Sequence, residues 1–106
     1  MKYLMIAKMK EKPPMSAEEL LKSSVMEWET ALRLKGMKNV EAVYAFADQS
    51  GGLAIGDVDS EAQARALMAE LPFYRYLDIN LSPIISAEDA SAKAKHDLEA
   101  FKAQKQ

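Results

Sequence analysis

The chain contains no cysteine. Disulfides, zinc–thiolate centres and a thiol nucleophile are therefore excluded, and the absence agrees with an expectation of a cytoplasmic protein. Histidine is almost as scarce: His96, the only one, sits between Lys95 and Asp97 in a charged C-terminal stretch. With a single histidine and scattered carboxylates, neither a zinc site nor a facial triad can be assembled, so no metal is expected. Phosphate-cradling loops, dinucleotide fingerprints and a Ser-His-Asp set are missing too, and Gly51-Gly52 reads as a turn. No cofactor is expected. No apolar run approaches the roughly 20 residues of a membrane span, and Lys8 interrupts an opening run too short for a signal peptide. An excess of either charge is also lacking. Fourteen basic and 16 acidic residues leave a net charge of −2, which gives no basic face for nucleic acid.

What is present is the composition of one globular domain: 106 residues, 49% hydrophobic and 28% charged. A chain of this length buries only about 60–70% of its unfolded surface, so a partner covering one face would stabilise it considerably.

Residues 2–10 predict a strand in which Tyr3, Met5, Ala7 and Met9 alternate with Leu4, Ile6 and Lys8. Its first half is apolar on both faces, which requires cover on both sides of a sheet. Lys12-Pro13-Pro14 ends it, and Ser16 with Glu19 forms a capping box for a helix. That helix carries Leu20, Leu21, Ser24, Val25, Trp28, Ala31 and Leu32 on one stripe and is expected to stop at a left-handed Gly36. Residues 40–47 and 53–58 read as a hairpin, with Tyr44 and Phe46 on one face, Val43 on the other, and Gly56 marking a bulge or a close approach. A second helix begins at Asp59-Ser60, presents Ala64, Leu67, Met68 and Leu71, and is closed by Pro72. Residues 77–85 give the last strand. The order β-α-β-β-α-β predicts an α+β, ferredoxin-like domain over residues 1–85 with a four-stranded antiparallel sheet. A helical tail over 86–106 follows, with a thin stripe of Ala90, Ala94, Leu98 and Phe101 that either lies on a neighbouring protomer or frays. Two helices cover one sheet face only, so the apolar other face predicts a homodimer or a higher homo-oligomer.

The segment Leu71-Pro72-Phe73-Tyr74-Arg75-Tyr76-Leu77-Asp78-Ile79 resembles the helix-to-strand crossing of muconolactone isomerase-like proteins, and the resemblance extends over residues 1 to about 85. It implies a dimeric α/β barrel with a ligand cavity between sheet and helices, and a small-molecule substrate. It leaves the chemistry open among isomerases, cyclases and monooxygenases. Glu41-Ala42-Val43-Tyr44-Ala45-Phe46 stands where the isomerases carry a Trp- and Arg-rich strand, and no histidine occurs in the first helix or the hairpin.

Glu27 and Glu29 flank Trp28 on the first helix. By helical angle Glu29 falls at the edge of the apolar stripe and Glu27 further toward solvent. A carboxylate half-buried beside an indole would have its pKa raised and could exchange protons near neutrality. The resemblance makes an acidic residue of this helix a candidate proton carrier, and its alignment falls on either Glu27 or Glu29. The competing reading is that both are solvated surface. Tyr44 or Tyr3, expected on one face, is the candidate to polarise a carbonyl, and Tyr3, Met5, Ser24, Trp28, Phe46 and Met68 are the candidate ligand contacts. Met26 and Met37 are further candidates for an adaptable wall, and Lys8 and Lys10 can meet an anion. Ser24 is equally a residue that bonds back to its own helix, and the aromatics and methionines are equally plain core.

The expected function is a cofactor-independent isomerase or cyclase acting by proton transfer on a small, mostly apolar carbonyl, enol or lactone. A cofactor-free monooxygenase of polyketide-type phenols and a non-catalytic ligand-binding or assembly protein are the alternatives.

Overall fold

Alternation in the first strand is realised, with the middle of its helix side fully buried. In the computed structural model, which describes residues 1–105, β1 runs Lys2–Met9. Met5 and Ala7 point into the core beneath the helices, whereas Leu4 and Ile6 lie half-buried on the opposite face. The remaining elements are α1 (Ala17–Lys35), β2 (Val40–Ala45), β3 (Gly51–Asp57), α2 (Glu61–Met68), one 3-10 turn (Tyr74–Tyr76), β4 (Leu77–Ile84) and α3 (Ala87–Gln104). The strands form one antiparallel sheet in the order β2-β3-β1-β4, so β1 and β3 are central and β2 and β4 are edges. This is the βαββαβ arrangement, with α3 added at its end.

Local chemistry explains the boundaries. The Ser16 hydroxyl accepts from Glu19 N–H at 3.2 Å while the Glu19 carboxylate accepts from Ser16 N–H at 3.1 Å, so the capping box forms in full. At the second cap Ser60 accepts from Gln63 N–H, but the Gln63 side chain reaches one residue further back, to Asp59 N–H. Two expected helix ends differ. Gly36 keeps a right-handed φ of −72°, since its N–H still bonds Leu32 O and Arg33 O, so no left-handed stop is needed. The second helix ends at Met68, before Pro72, and the chain turns through Leu71 N–H to Met68 O into the 3-10 turn.

Gly51 and Gly52 belong to β3 rather than to a turn, as backbone packing leaves no room there. A methyl on Gly51, whose φ is +149°, would collide with Ala7 O, and one on Gly52 would collide with Tyr44 O. Gly56 likewise admits close neighbours, with Met5 Cε 3.1 Å from where a Cβ would stand, and the β2–β3 register shifts between Val40 and Ala42.

The core lies between sheet and helices: Met5, Ala7, Val58, Ala64, Met68, Phe73 and Leu77 form one buried cluster. The other sheet face carries a second apolar field in which Leu4 lies beside Ile55, and Ile6 beside Leu53. α3 buries none of its residues.

Candidate functional site

Helix α1 does not use the face that its most apolar residues suggest. Its buried residues are Glu27, Ala31 and Leu34, with Leu20 and Ser24 partly buried on the same side. Leu21, Val25 and Leu32 of the expected stripe are exposed. The expected orientation of the two glutamates is therefore reversed: Glu27 is 8% exposed and Glu29 faces solvent. The helix is apolar over two adjacent sides, and the stripe centred on Leu21, Val25, Trp28 and Leu32 is turned about 110° away from the one that meets the sheet.

Glu27 is the buried charged residue among those described. Its carboxylate accepts a hydrogen bond from Phe73 N–H at 2.9 Å, across 46 residues of sequence. Phe73 stands in the crossing from α2 to β4, just after Pro72, where the chain leaves the helix and exposes an unpaired backbone donor to the inside. Burial pushes the Glu27 carboxyl above its ordinary pKa, and the Phe73 N–H opposes that only in part.

Around this carboxylate the layer between α1 and the sheet is open, enclosing a cavity of about 850 Å³. Met5, Ala7 and Met9 of β1 and Ala54 of β3 line one side, facing Leu20, Ser24 and Ala31 of α1. Met68 and Leu77 close the inner end, while Lys10 and Lys12, with Glu11 between them, stand on its rim and supply cations there. Ser24 lines the space, but its hydroxyl donates to Leu20 O at 2.8 Å and is occupied by its own helix. The inner wall is thus almost wholly apolar around one ionisable group, Glu27, with Lys10, Glu11 and Lys12 confined to the rim. That combination can hold a small apolar molecule and move a proton to or from it.

The candidates from the sequence are distributed as follows. Glu27, Met5, Ser24, Trp28, Phe46 and Met68 all border the cavity. Trp28 spans its open side, with Cη2 3.1 Å from where a Gly52 Cβ would stand. Tyr44 borders it too, but strand register sets Tyr44 beside Leu53 and Ile6, on the face away from the helices, and leaves it 65% exposed. Tyr3 packs against the core cluster on the helix face, so the two tyrosines do not share a face: Tyr3 pairs with Gly56, three residues along β3 from Leu53. Phe46 follows β2 and lies under Lys8, whose Nζ is 5.8 Å from the ring centroid. Met26 and Met37 are exposed, and Met9 takes part in their place. The sequence reading passed over Leu34, Phe73 and the rim residue Lys12. The alternating four- and three-residue spacing of Leu20, Ser24, Glu27, Ala31 and Leu34 is the signal that points to the inward face.

Among the described residues no cluster of three metal-ligating side chains occurs, and no helix is long and apolar enough to cross a membrane. Comparison with known proteins places residues 1–90 within a family described as muconolactone delta-isomerase. No individually curated protein matches the chain. A crystal structure of muconolactone isomerase superimposes with a TM-score of 0.64 at 22% identity, covering 81% of this chain and 90% of that one. A second match is 5-chloro-2-hydroxyhydroquinone dehydrochlorinase of Burkholderia phenoliruptrix AC1100 in complex with 2,5-dihydroxybenzoquinone. Its TM-score is 0.59 at 13% identity, covering 84% of this chain and 98% of that one. At these identities both show the shared fold.

Proposed function

Because the chain belongs to the muconolactone delta-isomerase family, we propose that it is a cofactor-independent isomerase or cyclase, with Glu27 as the group that moves the proton. The observation that carries this reading is one carboxylate, buried in an apolar cavity and raised in pKa, with its Oε1 held by Phe73 N–H. The other oxygen is then free to take a proton from a carbon next to a carbonyl. The electron pair moves into an enolate, and the same carboxyl returns the proton at a second carbon. Nothing is oxidised or reduced, and no external proton acceptor is needed.

The substrate is a small carbonyl, enol or lactone compound whose body matches the apolar walls. An acidic group at its outer end would meet Lys10 or Lys12 at the rim. The muconolactone and chlorinated hydroxyquinol substrates in the names of the two structural relatives belong to this chemical range. The protein acts as a homodimer or larger homo-oligomer, with the field around Ile6 and Leu53 as its sheet-to-sheet contact.

Solvent deuterium exchange into an unsaturated lactone panel, followed by proton NMR, tests the assignment. Glu27→Gln keeps an acceptor for Phe73 N–H and is expected to lower exchange by about 10²–10⁴-fold, the usual worth of a general base. Glu29→Gln, on the solvent side, is expected to leave it unchanged. Wild-type rates in Glu27→Gln would remove the role. One observation favours a second reading, in which the protein binds a ligand without changing it: Tyr44 lies on the far side of the sheet, so no phenol from that strand reaches Glu27. Saturable binding in the cavity with no exchange in any panel member would establish that reading instead.

A further inference from the structure

α3 is an 18-residue helix that buries nothing, in a molecule 69 Å long but only 28 × 25 Å across. An isolated helix of that length is marginal in water, so its formation requires something to pack on. The family match ends at residue 90, and α3 runs to Gln104, so most of this helix lies beyond the matched residues.

We infer that α3 of one copy lies antiparallel on the exposed stripe of α1 in a second copy and roofs the open side of the cavity there. Two apolar stripes in the molecule lack a partner, and they match. On α1, Leu21, Val25, Trp28 and Leu32 stand outward, with Trp28 39% exposed. On α3 the stripe is Ala90, Ala94, Leu98 and Phe101, with Leu98 52% and Phe101 55% exposed. Laid antiparallel, they place Phe101 on Leu21, Leu98 on Val25, Ala94 on Trp28 and Ala90 on Leu32. The largest side chain of α1 then meets one of the smallest of α3, which lets the two helices close together.

Charge fixes the same direction. α1 opens with Glu18 and Glu19 and closes with Arg33 and Lys35; α3 opens with Glu88 and Asp89 and closes with Lys102. Antiparallel packing sets each acidic first turn beside a basic last turn, whereas parallel packing sets like beside like.

The chain cannot make this contact with itself. α3 leaves β4 through only Ile85 and Ser86, β4 is one edge of the sheet, and α1 packs over β2, the other edge. Three strand spacings, about 14 Å, separate the two edges. α2, seated on β1, stands between them. A second copy meets no such obstacle, and exchange of both tails makes a closed two-fold pair. Leu21 and Trp28 border the cavity, so the incoming tail completes its wall at Phe101 and Ala94.

The absence of cysteine makes the test clean. Differently tagged Val25→Cys and Leu98→Cys chains, both altered at exposed positions, are co-expressed at full length and oxidised. A disulfide needs Cα atoms within about 7 Å, so the mixed disulfide should exceed by about tenfold that formed by Val25→Cys with Ala92→Cys, which lies on the opposite side of α3. A yield no higher than that control, or a disulfide within one chain of the Val25→Cys/Leu98→Cys double variant, overturns the inference. Trp28, the only tryptophan, gives a second reading. Its emission should move to longer wavelength in Leu98→Asp/Phe101→Asp, and an unmoved spectrum also overturns it. Neither measurement depends on catalysis by Glu27, so the two proposals can fail separately.

Discussion

Burying one carboxylate in an apolar layer penalises its charged form, and Glu27 receives a single N–H in return. A raised pKa means that the folded chain holds a proton which the unfolded chain has released. Stability from this group is therefore fully present below its ordinary pKa of about 4.5 and declines as pH rises to the raised value, then stays level. Glu27→Gln, which has no charge to bury, should gain on the wild type through that window and stay ahead above it. Thermal melts of both proteins from acid to neutral pH check this, and a constant difference in Tm would show that burial does not tune the group. The sequence made both glutamates visible but not their order. Counting apolar residues favours the stripe through Leu21 and Trp28, whereas the sheet selects the face with the smaller residues Ser24 and Ala31, which leave room for a cavity.

Elements follow their local signals where those signals are short-range. The Ser16–Glu19 box, the alternation of β1 and the hairpin were all readable, because capping and period depend on neighbours in sequence. The close approach at Gly56 was readable too, but what Gly51 and Gly52 do was not, since their constraint comes from other strands. Gly51 lies against Ala7 O, 44 residues earlier, and a turn reading has no means of seeing that. Gly51→Ala should cost about 1–3 kcal/mol from backbone strain alone, and more through the collision, by urea denaturation. An alanine there as stable as glycine would mean that β1 and β3 separate more easily than their register implies. Phe73 illustrates the same limit. The crossing that identified the family reads as an aromatic join, yet its backbone N–H is what holds the inward carboxylate.

On the scale of the whole molecule, the second apolar face of the sheet was legible from β1 alone, because Leu4 and Ile6 cannot face water beside Leu53 and Ile55 without cost. A contact of two such faces should be broken by a charge at its middle. Ile6→Asp is expected to shift the protein to smaller species by light scattering, while its helix content by circular dichroism is kept. Unchanged mass in that variant would place the assembly elsewhere, with the tails as the first alternative. The fate of α3 could not be read from its own residues, since an amphipathic stripe does not say which surface it meets.

The two edge strands carry a different consequence. β4 has Pro83 near its end, and β2 has the register shift between Val40 and Ala42, with Glu41 paired to Lys2 at 2.6 Å. A proline withholds a ladder donor and an irregular strand fits a new neighbour poorly, so neither edge is a good template for another strand. An open edge can take on strand after strand, so blunting both edges removes that route to fibres. A chain with blunted edges can crowd to high concentration without its sheets joining end on end.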